Sequence, residues 1–219
     1  MGCEVNLLRN YPSSNRDLSK RAKEKTPEDR EIARQFGRQF FDGERKYGYG
    51  GFYYNEKFWQ NVIPDFIEFY NLNDQSQILD VGCAKGFMLY DFKRFLPNAN
   101  LMGIDVSGYA ISNAKEEIKQ SVSVGNANNL MFKDNTFDLV LSINTVHNLE
   151  LKECVKALKE IQRVSKGNSF LTVDAFRNDE EKEKMFNWNL TAKTILSVDD
   201  WKSLFQDVGY EGDYYWFIP

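Results

Sequence analysis

The chain has 219 residues, 42% of them hydrophobic, and a formal net charge of −4 from 28 lysines and arginines against 32 aspartates and glutamates. That length suits one domain with an extension, and an acidic balance without a lysine- or arginine-rich stripe argues against a nucleic acid partner, whose phosphates must be neutralised. No apolar run approaches a membrane span, no signal peptide is visible, and Cys3, Cys83 and Cys154 lack metal-ligand spacing, so the expectation is a cytoplasmic protein with reduced thiols, no metal and a small-molecule partner.

Residues 1 to 72 read as an N-terminal helical extension and lid, and 73 to 219 as the ligand-binding domain. Met1-Gly2-Cys3 has the start of a lipidation signal, but Asn6 stands where that signal wants serine or threonine. Pro12, Ser13, Ser14 and Asn15 mark an irregular beginning. Thr26-Pro27-Glu28-Asp29 opens a helix, with a capping hydroxyl, proline in the first turn and acids at the positive dipole end. Ile32, Phe36 and Phe40 extend one apolar stripe, which predicts a helix ending between Phe41 and Gly43. The stretch from Asp42 to Tyr54 interleaves tyrosines with glycines and carries Arg45 and Lys46. Flexible backbone, flat rings, hydroxyl donors and positive charge suit a segment that closes over a ligand, with Arg45, Tyr47, Tyr49 and Tyr53 as candidate substrate contacts. Phe58 to Tyr70 repeats aromatic and aliphatic residues at helical spacing, interrupted or restarted at Pro64.

From Ser76 the pattern alternates strand and helix, as parallel βαβ units do. Gln77 to Val81 is the first strand, with Asp80 near its carboxyl end, and Gly82 and Gly86 bracket a turn into a helix that runs to about Phe95. A dinucleotide site would read G-x-G-x-x-G; this turn reads Asp80-Val81-Gly82-Cys83-Ala84-Lys85-Gly86, with an acid before the first glycine and no third glycine. Leu101 to Asp105 is the second strand, and an acid at its end is positioned for ribose hydroxyls. A helix over Ser107 to Ser121 and a short strand to Val124 lead to Gly125-Asn126-Ala127. Asp134-Asn135-Thr136-Phe137-Asp138-Leu139-Val140 then precedes the fourth strand, which ends at Ser142-Ile143-Asn144-Thr145-Val146-His147-Asn148. His147 is the sole histidine. Its imidazole, with an ordinary pKa near 6.5, can take or hold a proton at neutral pH. The remaining elements are an amphipathic helix from Leu151 to Val164, a strand from Ser169 to Asp174, a charged helical face at 178 to 184, a helix from Val198 to Val208 and a strand from Tyr210 to Ile218. Arg177, just past the fifth strand, could clamp a phosphate or carboxylate, or serve as a solvated charge.

The turn after the first strand resembles motif I of the class I S-adenosylmethionine (SAM) methyltransferases, D-x-G-x-G-x-G, with Ala84 at the middle glycine. Asp105 resembles their second motif, Gly125-Asn126-Ala127 their G-D-A with an amide in place of the acid, and Asp134 to Val140 their D-x-S-F-D-x-V. The resemblance covers roughly residues 76 to 175. It implies an α/β, Rossmann-like sheet, mostly parallel, of six or seven strands, closed by an antiparallel hairpin. Since one clear strand follows the last helix, either that hairpin is shortened or Lys193 to Leu196 supplies its other strand. The resemblance further implies SAM as cofactor and S-adenosylhomocysteine as product. It assigns Asp80, Gly82, Cys83, Ala84, Gly86, Asp105, Val106, Asn126, Ala127 and Asn144 to the cofactor, and His147 and Asn144 to catalysis. The tyrosine-rich stretch and Gly212-Asp213-Tyr214-Tyr215-Trp216 are similar to a subfamily of bacterial surface-polysaccharide clusters that includes methyltransferases for O-methyl phosphoramidate capsule decoration. That similarity implies O-methylation of a small polar or anionic acceptor such as a phosphoramidate, nucleotide sugar or glycan precursor. Two alternatives stay open: an NAD-dependent oxidoreductase, which shares Asp105 but needs the missing glycine, and a non-catalytic SAM-binding protein.

Overall fold

The computed structural model describes residues 2–12 and 25–219; Ser13, Ser14 and Asn15 lie outside the described residues. Its centre is a seven-stranded sheet ordered β3-β2-β1-β4-β5-β6, with β7 also paired to β5. The strands are β1 Gln77–Val81, β2 Asn100–Asp105, β3 Val122–Val124, β4 Leu139–Ile143, β5 Ser169–Phe176, β6 Leu196–Ser197 and β7 Asp213–Phe217. Every pairing among them is parallel. Among the described residues the expected antiparallel closing hairpin is therefore absent. The helix Val198–Val208 intervenes between β6 and β7 and carries the chain back to the amino end of β5, so β7 starts beside Phe170 and runs with β5 as far as Asp174. On β7, Val5 N–H donates to Tyr214 O at 3.0 Å and Tyr214 N–H to Cys3 O at 3.1 Å, so the N-terminal segment covers its edge.

The α-helices among the described residues are α1 Pro27–Arg34, α2 Arg38–Asp42, α3 Ile63–Phe69, α4 Phe87–Phe95, α5 Gly108–Ser112, α6 Leu151–Val164, α7 Asp179–Trp188 and α8 Val198–Val208. Thr26 caps α1, as its sequence predicts, and the structure adds a reciprocal box with Asp29. The helix does not continue to Phe41. Phe36 takes a left-handed φ of 49°, its carbonyl is held by the Ser107 hydroxyl, and α2 restarts after Gly37. Of the stretch 58–70 only α3 is helical, with Pro64 in its first turn. The helix expected over Ser107 to Ser121 also divides: α5 stops at Ser112, the Lys115 N–H bonds to Lys85 O at 3.1 Å, and a 3-10 turn follows at Glu116–Ser121.

Alternation along the strands makes two cores. Leu79, Val81, Val140, Leu171 and Val173 face α6 and α8 with Trp201, Phe205, Tyr214 and Trp216. Ile78, Leu139, Leu141 and Phe170 face α3 and α4 with Ile63, Phe66, Leu89 and Phe92, and Leu7 joins that cluster. The extension thus shares a core with the sheet. Among the described residues no helix is long and apolar enough to cross a membrane.

Candidate active site

A cavity of about 1100 Å³ opens at the carboxyl ends of the strands, between β1 and β4 where the strand order reverses, and the N-terminal segment forms its other wall. The turn after β1 builds its floor. Gly82 has φ 90°, and a Cβ there would lie 2.1 Å from Thr145 Oγ1, so only glycine lets the turns after β1 and β4 approach this closely. The N–H groups of Gly82 and Cys83 both donate to Ile104 O, at 2.8 and 3.0 Å. Ala84 keeps a left-handed φ of 50°, the conformation for which the resembling motif has glycine, and its N–H donates to Asp105 Oδ2 at 2.8 Å. Gly86, at φ 73°, begins α4 but does not line the cavity; a Cβ there would press on Ile118, so its part is to shape the turn.

Two acids end the adjacent strands. Asp80 is buried, lines the cavity and accepts no hydrogen bond from the described residues; desolvation and then the neighbouring Asp105 push its pKa up to about 7. Asp105 accepts from Ala84 N–H and, through Oδ1, from Ser107 N–H at 2.8 Å. Burial raises its pKa and those two bonds oppose the rise. Val106, Asn126 and Ala127 line the same end of the cavity, with Asn126 Oδ1 accepting from Asn128 N–H at 3.2 Å.

The ends of β4 and β5 form the other half. Asn144, at φ 52°, is locked to Thr172: its N–H donates to Thr172 Oγ1 at 2.9 Å, and that hydroxyl donates to Asn144 Oδ1 at 2.9 Å. His147 lies buried in a 3-10 turn, and its Nδ1 accepts the Asp174 N–H at 3.0 Å. The ring proton therefore belongs on Nε2, which is 3.8 Å from Asp174 Oδ1. Burial lowers the imidazole pKa and Asp174 opposes that shift. A neutral ring with its lone pair already engaged is a donor and a positioning group rather than a ready base.

Of the five substrate candidates, Arg45 and Tyr49 line the cavity, whereas Tyr47, Tyr53 and Arg177 do not. Tyr53 is 74% exposed. Arg45 donates to the carbonyls of Gly48 and Tyr49. Arg177 lies in a separate cleft with Glu4 and Lys202 and pairs with Glu181 at 3.4 Å, because β5 continues through Phe176 and carries it beyond the cavity. A contact that the sequence did not disclose joins the two walls: Lys85 Nζ lies 2.7 Å from Asp42 Oδ2, with side chains 5% and 12% exposed. Burial raises the Asp42 pKa, but bonds from Lys85, Phe52 N–H and Tyr109 outweigh it and hold the carboxyl below its ordinary range. These partners are 43 positions apart, and only a lysine within a turn of small residues hinted at them.

The family described as a methyltransferase domain matches residues 72–209. Demethylmenaquinone methyltransferase of Symbiobacterium thermophilum is 28% identical over 152 residues, covering 65% of this chain and 59% of that protein. A Methanocaldococcus jannaschii protein described as uncharacterized is 34% identical over 143 residues, with the same coverage of 65% and 59%. The chain thus spans about three fifths of the length of these two curated relatives. Among solved structures, YcgJ of Bacillus subtilis is similar with a TM-score of 0.54 at 20% identity over 65% of each chain. The 4+2 cyclase SpnF is similar with a TM-score of 0.52 at 19% identity, over 68% of this chain and 57% of that one. One fold thus carries more than one chemistry. With the family match running from the residues before β1 to the end of α8, over the strands and turns that build the cavity floor, the chain belongs to the methyltransferase-domain family.

Proposed function

We propose that the protein is a SAM-dependent methyltransferase that O-methylates a small polar or anionic acceptor. The observation that carries this reading is Asp80, a buried carboxyl group at the cavity floor that accepts no hydrogen bond from the described residues. An ammonium such as that of the methionine part of SAM would satisfy it. The second lone pairs of Asp105 suit ribose hydroxyls, and the Asn126 amide suits an adenine amino group. A pyrophosphate beside Asp80 and Asp105 would meet like charge, which disfavours NAD.

SAM supplies an electrophilic methyl group on a sulfonium. The chain's own share is alignment and exclusion of water: Asn144, fixed by Thr172, and His147, fixed by Asp174, hold the acceptor side, while Arg45 and Tyr49 offer it charge and a hydroxyl. The narrower acceptor class, a capsule phosphoramidate, nucleotide sugar or glycan precursor, rests on the sequence resemblance. Of that resemblance Tyr214 packs in the core, whereas Tyr215 and Trp216 line the cavity, so these two aromatics and the cavity cations are what support it.

Calorimetry with SAM, S-adenosylhomocysteine and NAD tests the cofactor: saturable binding of the first two and none of NAD is expected, and the reverse sinks the reading. Transfer of radiolabelled methyl into a panel of nucleotide sugars, glycans and phosphoramidates then tests the acceptor. SAM binding without transfer to any acceptor would favour the non-catalytic alternative.

A further inference from the structure

Asp105 stands at the junction of two chains of contacts that hold the N-terminal segment over the cavity. Its Oδ2 fixes the Ala84 N–H, and the next residue, Lys85, donates to Asp42 Oδ2 at 2.7 Å and to Phe52 O at 2.9 Å. Its Oδ1 fixes the Ser107 N–H, and the Ser107 hydroxyl holds Phe36 O. Tyr109 OH adds a 2.7 Å bond to Asp42, which also accepts the Phe52 N–H at 2.9 Å. From these anchors hangs an aromatic wall. Tyr49 and Phe52 have ring centroids 4.2 Å apart, Phe52 stacks at 4.9 Å on Phe87, the first residue of α4, and Phe41 stacks at 6.3 Å on Tyr109. Phe41, Tyr49, Phe52 and Phe87 all line the cavity.

We propose that Lys85 is a positioning residue whose buried ion pair with Asp42 couples occupancy of the cofactor end of the cavity to closure of the aromatic wall over the acceptor end. The inference rests on the SAM reading above. If the wall swings away, Lys85 loses Asp42 and the Phe52 carbonyl together, so these bonds define one closed state of the wall. A ribose held by Asp105 stiffens the Ala84-Lys85 and Ser107 backbone from which that state is suspended. Coupling of this kind is reciprocal: what the cofactor does for the wall, the wall does for cofactor affinity.

Hydrogen exchange of residues 43–54 in the full chain tests it, with and without saturating S-adenosylhomocysteine. The variants are Lys85→Met and the double variant Asp42→Asn with Lys85→Met, which leaves no unpaired buried charge. In the wild type the ligand slows exchange of this segment. Lys85→Met exchanges it about 10-fold faster without ligand, loses the ligand-induced slowing and binds the ligand about 5-fold more weakly. The double variant folds and still lacks the slowing, a readout that a purely structural pair would not move, and it decides the matter if Lys85→Met fails to fold. Equal ligand-induced slowing in the wild type and the double variant overturns the coupling alone. Absence of ligand binding to the wild type overturns the SAM reading, and the coupling with it.

Discussion

Asp80 links the site to pH in two opposite ways. Its pKa is pushed up to about 7 from an ordinary 3.8, so the folded chain keeps a proton that the unfolded chain has lost between those values. Its stability contribution is therefore full below the ordinary value and is lost as pH rises through the folded one. Ligand binding runs the other way, since an ammonium pairs with the ionised form alone. S-adenosylhomocysteine affinity should rise from about pH 6 to about pH 8, and Asp80→Asn should flatten that rise and weaken binding by roughly 1.5–3 kcal/mol, by calorimetry. In urea, Asp80→Asn should gain stability relative to the wild type at about pH 8 compared with about pH 5. A wild-type affinity that does not vary with pH would remove Asp80 from the ligand. His147 yields a second expectation at this scale. Its Nδ1 lone pair is engaged by Asp174 N–H, which leaves the neutral ring no free lone pair for a proton, so His147→Ala should lower kcat by less than about 10²-fold. A larger loss, with a rate that rises with pH through the imidazole pKa, would identify it as the base and the acceptor as a hydroxyl. Its lowered pKa has the opposite linkage from Asp80: the neutral buried ring supports the fold above the ordinary value of 6.5, and that support is withdrawn as pH falls below it.

Among the elements, Asp138 shows how a family motif can serve the sheet rather than the site. Its Oδ2 accepts the Gln77 N–H at 2.8 Å, its Oδ1 accepts Lys166 Nζ at 2.9 Å, and its own N–H donates to Gln77 O at 2.8 Å. These bonds clasp the start of β1 to the start of β4, while neighbouring Phe137 is wholly buried in the core. Asp138→Ala should therefore lower unfolding stability by about 1–3 kcal/mol and leave S-adenosylhomocysteine affinity unchanged. A loss of affinity without a loss of stability would move Asp138 into the site. The divided helices teach a related lesson. One helix is expected through Phe36 and another over Ser107 to Ser121, yet each breaks where its backbone is drawn to a neighbour: Phe36 O by Ser107, and Lys115 N–H by Lys85 O.

For the whole molecule, the N-terminal segment is both an edge cover and a piece of the core. Cys3 and Val5 bond to Tyr214, Leu7 is buried, and Tyr11 packs on Trp59 with ring centroids 5.0 Å apart beside the cavity. Deleting residues 2–11 removes the Leu7 burial, about 1.5–3 kcal/mol, and leaves the edge of β7 unpaired. The truncated chain should unfold at lower denaturant concentration and show concentration-dependent association by light scattering. An unchanged midpoint and a monomer at all concentrations would make the segment dispensable.

The sequence by itself determined what depends on near neighbours along the chain. Gln77–Val81 and Val198–Val208 form a strand and a helix within the bounds that their apolar spacing predicts, and Asp80, Gly82 and Ala84 arrive at the cavity because one short turn carries them all. Thr26 likewise caps a helix whose donor, the Asp29 N–H, is three residues away. Only the tertiary structure decided the direction of β7, the removal of Arg177 from the cavity, the engagement of the His147 lone pair and the pairing of Asp42 with Lys85. Each of these is set by where a crossover returns the chain or by which distant backbone group a side chain meets. A crossover helix and a hairpin place the following strand in opposite directions, and no local pattern within that strand distinguishes them.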